Sequence, residues 1–330
     1  MAEPTISVLV VAYRQREALA EALESCLAAA ANVADDVELI VIDNGELASF
    51  VRDGFPSARV IEPAANLGFA GGVQRGLADA RGEWIALVND DARLDSQALA
   101  KLLDTGRREE RTGSVAAQIR FASDPGRINS AGISVDSLGV ASERLAGRPA
   151  GEAGGASEVF GASGCVALYR RTMLDEVGGL DERFFAYLED VDLAWRARAA
   201  GWRCVYEPGA VAYHQGSAST GEGSRRKYFL VGRNRVRLLA RNATSAQLLR
   251  ALPGILLYDL AYIAYAAVSD RTLAPLRGRI AGLREWRAFR REGQQQRRAI
   301  ALSPASKGWR SALRMRRAYR ELGVRGNEGS

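Results

Sequence analysis

Leu87-Val88-Asn89-Asp90-Asp91 is the stretch on which the reading of this chain turns: the apolar run that begins at Trp84-Ile85-Ala86 stops abruptly at an amide and two carboxylates. A short continuous apolar run reads as a strand covered on both faces. The switch to oxygen-bearing side chains places them where a parallel sheet opens to solvent. Oxygen ligands suit Mg²⁺ or Mn²⁺, which bind through one or two protein carboxylates together with substrate phosphates. The same three residues are also ordinary turn and helix-capping chemistry ahead of the helical segment 96–103, so the flanking sequence has to decide between the two.

Upstream, Ile6-Ser7-Val8-Leu9-Val10-Val11 is another buried-strand run, and Ala12-Tyr13-Arg14 leads from it into a helix reaching about residue 30. Glu38-Leu39-Ile40-Val41-Ile42 follows and ends on Asp43-Asn44-Gly45. Strand, helix, strand in this order is a βαβ unit, so the class is α/β, the strand ends share one edge, and a ligand belongs there. Asp43 is then a nucleotide-base or ribose contact, or simply turn chemistry. A third strand, 58–62, precedes Asn66-Leu67-Gly68-Phe69-Ala70-Gly71-Gly72. Its glycines permit close backbone approach and a helix start, which suits a diphosphate or ribose. Neither the Walker ending nor the Gly-x-Gly-x-x-Gly spacing is present.

Downstream, 105–160 is less informative: 114–121 is strand-like and the Gly/Ala-rich 147–156 reads as a mobile surface loop. Gly161-Ala162-Ser163-Gly164-Cys165 is a small-residue turn feeding a strand, and Cys165 reads as a small buried hydrophobe rather than a nucleophile. In Tyr187-Leu188-Glu189-Asp190-Val191-Asp192, Glu189 and Asp190 occupy the first turn of a helix, whose N-terminus favours ionised carboxylates. Asp192 pairs with Arg196 at i+4 on the surface. Two strand-like pieces, 202–206 and 210–213, deliver His214-Gln215-Gly216-Ser217, which holds the only histidine of the chain.

Taken together, Ala12-Tyr13 after the opening strand, Val41-Ile42-Asp43-Asn44, the loop from Asn66 to Gly72 and Asn89-Asp90-Asp91 resemble family 2 glycosyltransferases of the GT-A fold, particularly bacterial rhamnosyltransferase-like and galactofuranosyltransferase-like members. The likeness covers residues 5 to about 220, and Glu189-Asp190-x-Asp-Leu-x-x-Arg matches the second signature of those enzymes. It implies a mixed, mainly parallel sheet flanked by helices. It further implies inverting transfer of a sugar from a nucleotide diphosphate donor to a hydroxyl of a glycan or polyprenyl-linked acceptor. Carried over residue by residue, it implies nucleotide contacts at Ala12, Tyr13, Asn66 and Gly71, Asp43 on the base, Asp90 on the ribose, Asp91 and His214 on the metal, and Asp190 as catalytic base. The 161–171 segment would lie under the donor sugar. Two departures stand out: Asn89 replaces an acid that some members carry, and Gln74 stands where Asn is common. Neither touches Asp91.

Composition sets the remaining bounds. With 330 residues, 47% hydrophobic and 25% charged, the chain is of ordinary globular make-up. Cys26, Cys165 and Cys204 form no Cys-x-x-Cys pair, which fits a reducing cytoplasm. Glu3 before Pro4, with no basic segment, gives no sign of a signal peptide. The net charge of +6 hides an asymmetry: up to Ser224 there are 21 basic against 33 acidic residues, a net −12, and from Arg225 onward 24 against 6, a net +18. We therefore expect a catalytic domain over 1–224 and a basic, mainly helical appendage over 225–330. The apolar run 252–268, broken by Pro253 and Asp259, is short for a transmembrane helix and reads as an interfacial helix on an anionic membrane, with the last fifty or so residues an exposed helix and a frayed end. The expected location is the inner face of the cell membrane. A basic tail also suits nucleic acid, but no recognition module accompanies it, so no nucleic acid is expected as a partner. A nucleotidyltransferase would want a Gly-rich basic loop after the first strand, and Ala12-Tyr13-Arg14-Gln15-Arg16 has no glycine.

Overall fold

The computed structural model describes residues 4–215, 224–294 and 297–304, with Arg314, Ala318 and Glu321 beyond them. Gly216 and Ser217 of the histidine stretch, and the rest of the expected frayed end, lie outside the described residues. The chain opens with β1 (Ile6–Ala12), α1 (Arg16–Ala30), β2 (Val37–Asp43), α2 (Ala48–Gly54), β3 (Arg59–Ile61), α3 (Gly68–Asp79) and β4 (Trp84–Asn89). β1 runs parallel to both β2 and β4, with Val10 opposite Val41 and Val88. Ala12 and Asp43 are register partners, and so are Val11 and Asn89, so the three strand ends reach one edge, as the βαβ reading expects. All of β1 is buried because alternate residues serve two layers: Val8 and Val10 pack with Leu19 and Leu23 of α1, and Leu9 and Val11 pack with Val73 of α3.

The second half adds β5 (Ala92–Leu94), α4 (Ala98–Arg107), β6 (Thr112–Phe121), β7 (Ile128–Ser130), β8 (Ile133–Val135), β9 (Ala141–Glu143), β10 (Ser157–Val159), β11 (Val166–Arg170), α5 (Arg171–Val177), α6 (Glu189–Ala199) and β12 (Arg203–His214). The main sheet runs β10-β12-β6-β11-β4-β1-β2-β3, with β5 on β12 and β7 on β6. It is parallel around β1 and mixed beyond β4, where β11 is antiparallel to β4 and to β6. The two strand pieces expected before His214 are one strand, β12, with an irregularity between Glu207 and Val211. Pro208 and Gly209 sit there because proline has no N–H for the ladder. The stretch 147–156 is less free than its composition suggests: Gly147 N donates to Ile128 O at 2.8 Å, and Ala150 N to Gly126 O at 2.7 Å.

Three helices close the described chain: α7 (Arg225–Asn242), α8 (Ser245–Ser269) and α9 (Ala274–Glu292). α7 is not a solvated basic rod. Arg235, Arg237 and Arg241 are buried and paired with Asp259, Glu285 and Asp192, respectively. This changes the reading of Asp192. It does pair with Arg196, at 2.8 Å, but at 0% exposure it also accepts from Arg241 Nη1 at 2.9 Å and Asn242 Nδ2 at 2.8 Å, so it is a buried anchor between α6 and α7 rather than a surface ion pair. Removing one member of a buried pair leaves the others uncompensated. Asp192→Ala should therefore destabilise the fold by roughly 3–5 kcal/mol, read from the midpoint of denaturant unfolding; an unchanged midpoint would contradict the anchor.

α8 has 25 residues and is, by length and composition, long and apolar enough to cross a membrane, more than the 252–268 run suggested. Asp259 in its middle is held by Arg235 of α7 and Arg279 of α9, both at 2.8 Å, which ties the helix sideways to its neighbours.

Candidate active site

The edge expected to hold the nucleotide is built around β1, β2 and the loop before α3. Tyr13 N donates to Asp90 Oδ2 at 2.7 Å, tying the end of β1 to the end of β4. Burial pushes the Asp90 carboxyl up and neighbouring Asp91 adds to this, while the Tyr13 N–H and His214 pull it back, leaving it at about 7. Ala12 is fully buried, and its carbonyl accepts from Asn44 N at 2.9 Å. Asp43 accepts from the backbone N–H groups of Gly45, Leu47 and Ala48 at 2.8, 2.7 and 2.6 Å. Its carboxylate thus shapes the turn into α2, the turn chemistry the sequence already allowed. Asn44 does a matching task across the edge. Its Oδ1 accepts from Leu67 N at 3.2 Å and its Nδ2 donates to Gly68 O at 2.9 Å. Asn66 is exposed and accepts from Gly68 N at 2.8 Å. Gly68 has φ +71°, and a Cβ there would lie 2.5 Å from Phe185 O. Gly71 is buried in the first turn of α3, where a Cβ would lie 2.9 Å from Leu67 Cβ.

At the edge expected to hold the metal, β12 ends with His214 opposite Ala92, which brings the imidazole to Asp91: Nε2 and Asp91 Oδ1 are 3.2 Å apart. Nδ1 lies 3.2 Å from Asn129 Oδ1. Donation to that amide oxygen fixes the ring and leaves Nε2 facing the carboxylate, as the support of a metal-binding histidine requires. Burial alone would pull the imidazole down, but its partners hold it well above its usual range. Burial keeps the adjacent Cys165 thiol neutral, so Asp91 is the charge responsible. At this separation the pair is hydrogen-bonded, and on losing its proton Nε2 would join Asp91 Oδ1 as a second donor atom for a divalent ion. Among the described residues no group of three or more His, Cys, Asp and Glu could hold a metal. A two-sided protein grip suits Mg²⁺ or Mn²⁺, whose remaining ligands are water and phosphate.

Asp190 stands in the first turn of α6, accepting from Gly164 N at 2.9 Å and Val191 N at 2.8 Å. Burial raises its carboxyl above the usual range against the pull of those N–H groups. Glu189 turns inward, 6% exposed, and burial followed by the charge of Asp190 raises it as well. The 163–165 turn joins the end of β4 to Asp190: Cys165 O accepts from Asn89 N at 2.8 Å, while the next residue back holds Asp190. The structure therefore brings Asp90, Asp91, His214 and Asp190 around one turn, with Ala12, Tyr13, Asp43, Asn66 and Gly71 along the adjoining strand edge.

Two contributors escape a sequence reading. Glu143, at the end of β9, accepts from Ser130 Oγ and, at 3.3 Å, from Ser163 Oγ. Burial raises its carboxyl to about 7, with Asp190 adding to the rise and His214 opposing it, so Glu143 lies within electrostatic reach of both the expected base and the expected metal ligand. A lone glutamate in a three-residue strand carries no signal of this. The second is α7, whose Asn234 donates to the turn before Asp190.

A family model described as glycosyl transferase family 2 matches residues 7–178. An N-acetylglucosaminyl-diphospho-decaprenol L-rhamnosyltransferase of Mycobacterium tuberculosis is 30% identical over 222 residues, 56% of this chain and 68% of that protein. An uncharacterised protein of Sinorhizobium fredii is 30% identical over 236 residues, 66% of this chain and 25% of that protein. Among solved structures, a mannosyltransferase from Pyrobaculum calidifontis in complex with GDP-Man and Mn²⁺ aligns with a TM-score of 0.53 at 16% identity, covering 98% of this chain and 87% of that one. GalNAc-T7 with UDP, GalNAc and Mn²⁺ aligns with a TM-score of 0.58 at 12% identity, covering 98% and 58%. At such identities the two structures bear on the fold.

Proposed function

The chain belongs to glycosyl transferase family 2 and acts on nucleotide sugars, and from that premise we propose a metal-dependent, inverting transfer of a sugar, rhamnose in this reading, to a hydroxyl of a lipid-linked or cell-envelope glycan. The observation that carries it is the pairing of Asp91 and His214 at 3.2 Å with Asp190 held one turn away by Gly164. Asp190 accepts the proton of the acceptor hydroxyl as that oxygen attacks the anomeric carbon. The loop from Asn66 to Gly72 and the Asp43 turn seat the nucleotide, with Asp90 on the ribose. Asp91 and His214 would hold Mg²⁺ or Mn²⁺, which would supply positive charge for the leaving diphosphate. Direct displacement needs no covalent sugar on the protein.

A screen of nucleotide sugars by thermal unfolding, with and without Mn²⁺, tests this. One donor should raise the midpoint only when the metal is present, since a ligand that binds the native state stabilises it by mass action. Stabilisation indifferent to metal for every donor would contradict the reading.

The relative from M. tuberculosis is named for a decaprenol-linked acceptor, which supports a membrane-bound substrate here, with the enzyme peripheral at the cytoplasmic face. α8 and α9 supply the apolar surface: Leu252, Leu256 and Leu260 are 47%, 54% and 65% exposed, and Leu276, Ile280 and Leu283 are 38%, 44% and 60% exposed. Exposed Arg250, Arg271, Arg277 and Arg284 flank them and suit anionic headgroups. In liposome flotation the protein should rise with phosphatidylglycerol vesicles at low salt and less so at high salt. Equal recovery on neutral vesicles would remove charge as the attractor, and tight salt-sensitive binding to RNA would favour a nucleic-acid partner.

A further inference from the structure

The helix that carries Asp190 begins from a turn with an uncommon backbone. Phe185, Tyr187 and Leu188 have φ of 66°, 71° and 68°, in the region that disfavours every side chain larger than glycine's hydrogen. Three such residues in a run of four persist only when their surroundings hold them. The hold comes from α7. Asn234, at 0% exposure, places Nδ2 within 2.9 Å of Phe184 O, 2.9 Å of Ala186 O and 2.8 Å of Tyr187 O. Its Oδ1 accepts from Arg233 Nε at 3.1 Å, and Arg233 Nη2 donates to Phe184 O at 2.9 Å and to Arg183 O at 3.2 Å. Arg237 adds a bond to Arg183 O.

The other side of the same turn meets the nucleotide edge. Ala70 N donates to Phe185 O at 3.0 Å, the oxygen that Gly68 approaches too closely for any Cβ. The turn is therefore gripped between the loop expected to seat the donor and a helix of the basic C-terminal region, and Asp190 follows it directly.

We propose that Asn234, backed by Arg233, is a positioning residue that holds turn 184–188 in its left-handed course and so sets where Asp190 meets the acceptor hydroxyl. α7 is then a working part of the catalytic unit. The proposal rests on Asp190 being the base. Asn234 touches no substrate; it acts through the turn, and a displacement of about 1 Å at a reacting group costs about a hundredfold in rate.

The test compares wild type, Asn234→Ala, Tyr187→Gly, the double variant and Asp190→Asn. Transfer is followed as nucleoside diphosphate release from the donor that the unfolding screen selects, with bacterial membranes as the acceptor source. Mn²⁺-dependent binding of the matching nucleoside diphosphate is measured by calorimetry, and amide hydrogen exchange is followed across 184–191 and 87–91. Asn234→Ala should quicken exchange in 184–191 and leave 87–91 unchanged, keep nucleotide affinity within about twofold, and lower turnover by about a hundredfold. Because glycine accepts the left-handed region freely, removing Asn234 should cost less in the Tyr187→Gly background than in wild type. Unchanged exchange in 184–191, undiminished turnover, or an equal loss in both backgrounds overturns the clamp. If Asn234→Ala does not fold, Arg233→Ala, whose side chain is half-buried, takes its place under the same criteria. An inactive Asp190→Asn beside a fully active Asn234→Ala sinks the clamp alone, whereas an active Asp190→Asn sinks the base assignment beneath it.

Discussion

We expect Asp91→Ala to lose metal-dependent donor binding while the sheet stays intact. Asp91 is the anionic member of the pair with His214, it is 6% exposed, and its Oδ1 lies 3.2 Å from Nε2. Mg²⁺ and Mn²⁺ favour hard oxygen donors, so an imidazole without its carboxylate holds them poorly. Calorimetry with a nucleoside diphosphate should show Mn²⁺ tightening wild-type binding and leaving Asp91→Ala unchanged. His214→Ala should keep part of the response, because the carboxylate and the diphosphate remain. Metal dependence equal to wild type in both variants would place the ion elsewhere.

Asp190→Asn should separate binding from turnover. The substitution preserves size and keeps one of the two oxygens that accept from Gly164 and Val191, and the bond it gives up lies in the 163–165 turn and not on the expected nucleotide edge, so donor affinity should survive. The basic oxygen that takes the acceptor proton is gone, and transfer should fall by roughly 10²- to 10⁴-fold. The pH profile gives a second check. Burial holds the Asp190 carboxyl above the usual carboxylate range, and only its deprotonated form is a base. Wild-type turnover should therefore climb with pH along a limb shifted upward from that range, and Asp190→Asn should lack the limb. Full activity in Asp190→Asn would move the base to Glu189 or Glu143. Asp192→Asn is no neutral control beside it, because Asp192 is buried against Arg196, Arg241 and Asn242.

The parts of the fold legible in sequence are those whose residues are apolar almost without a break. β1 and β4 are buried on both faces, so their pattern needs no partner to be recognised. β5 and β7 to β10 have three residues each, too few for any period to appear, and exist because longer strands pair with them or, for β8 and β9, with each other. Pairing at i+4 put Arg196 beside Asp192 correctly. Burial of that pair depends on Arg241 and Asn242, which lie about fifty residues later, and no local pattern carries that information.

The burial inside the basic tail escapes a local reading for the same reason. A run such as Arg233-Asn234-Arg235-Val236-Arg237 looks solvated, yet Asn234, Arg235 and Arg237 are buried, and the arginines' charge is met by Asp259 and Glu285. At the site, chemistry-bearing residues at strand ends were visible because strand ends converge on one edge. Asp43 shows the limit of that rule, since residue type and position do not reveal that its oxygens receive three backbone N–H groups.

The most direct check is crystallographic. Crystals grown with Mn²⁺ and a nucleoside diphosphate, with diffraction recorded where manganese scatters anomalously, should show one strong peak within about 2.0–2.3 Å of both Asp91 Oδ1 and His214 Nε2, with diphosphate oxygens completing the shell. A manganese peak that contacts neither residue while the nucleotide is bound would contradict the site.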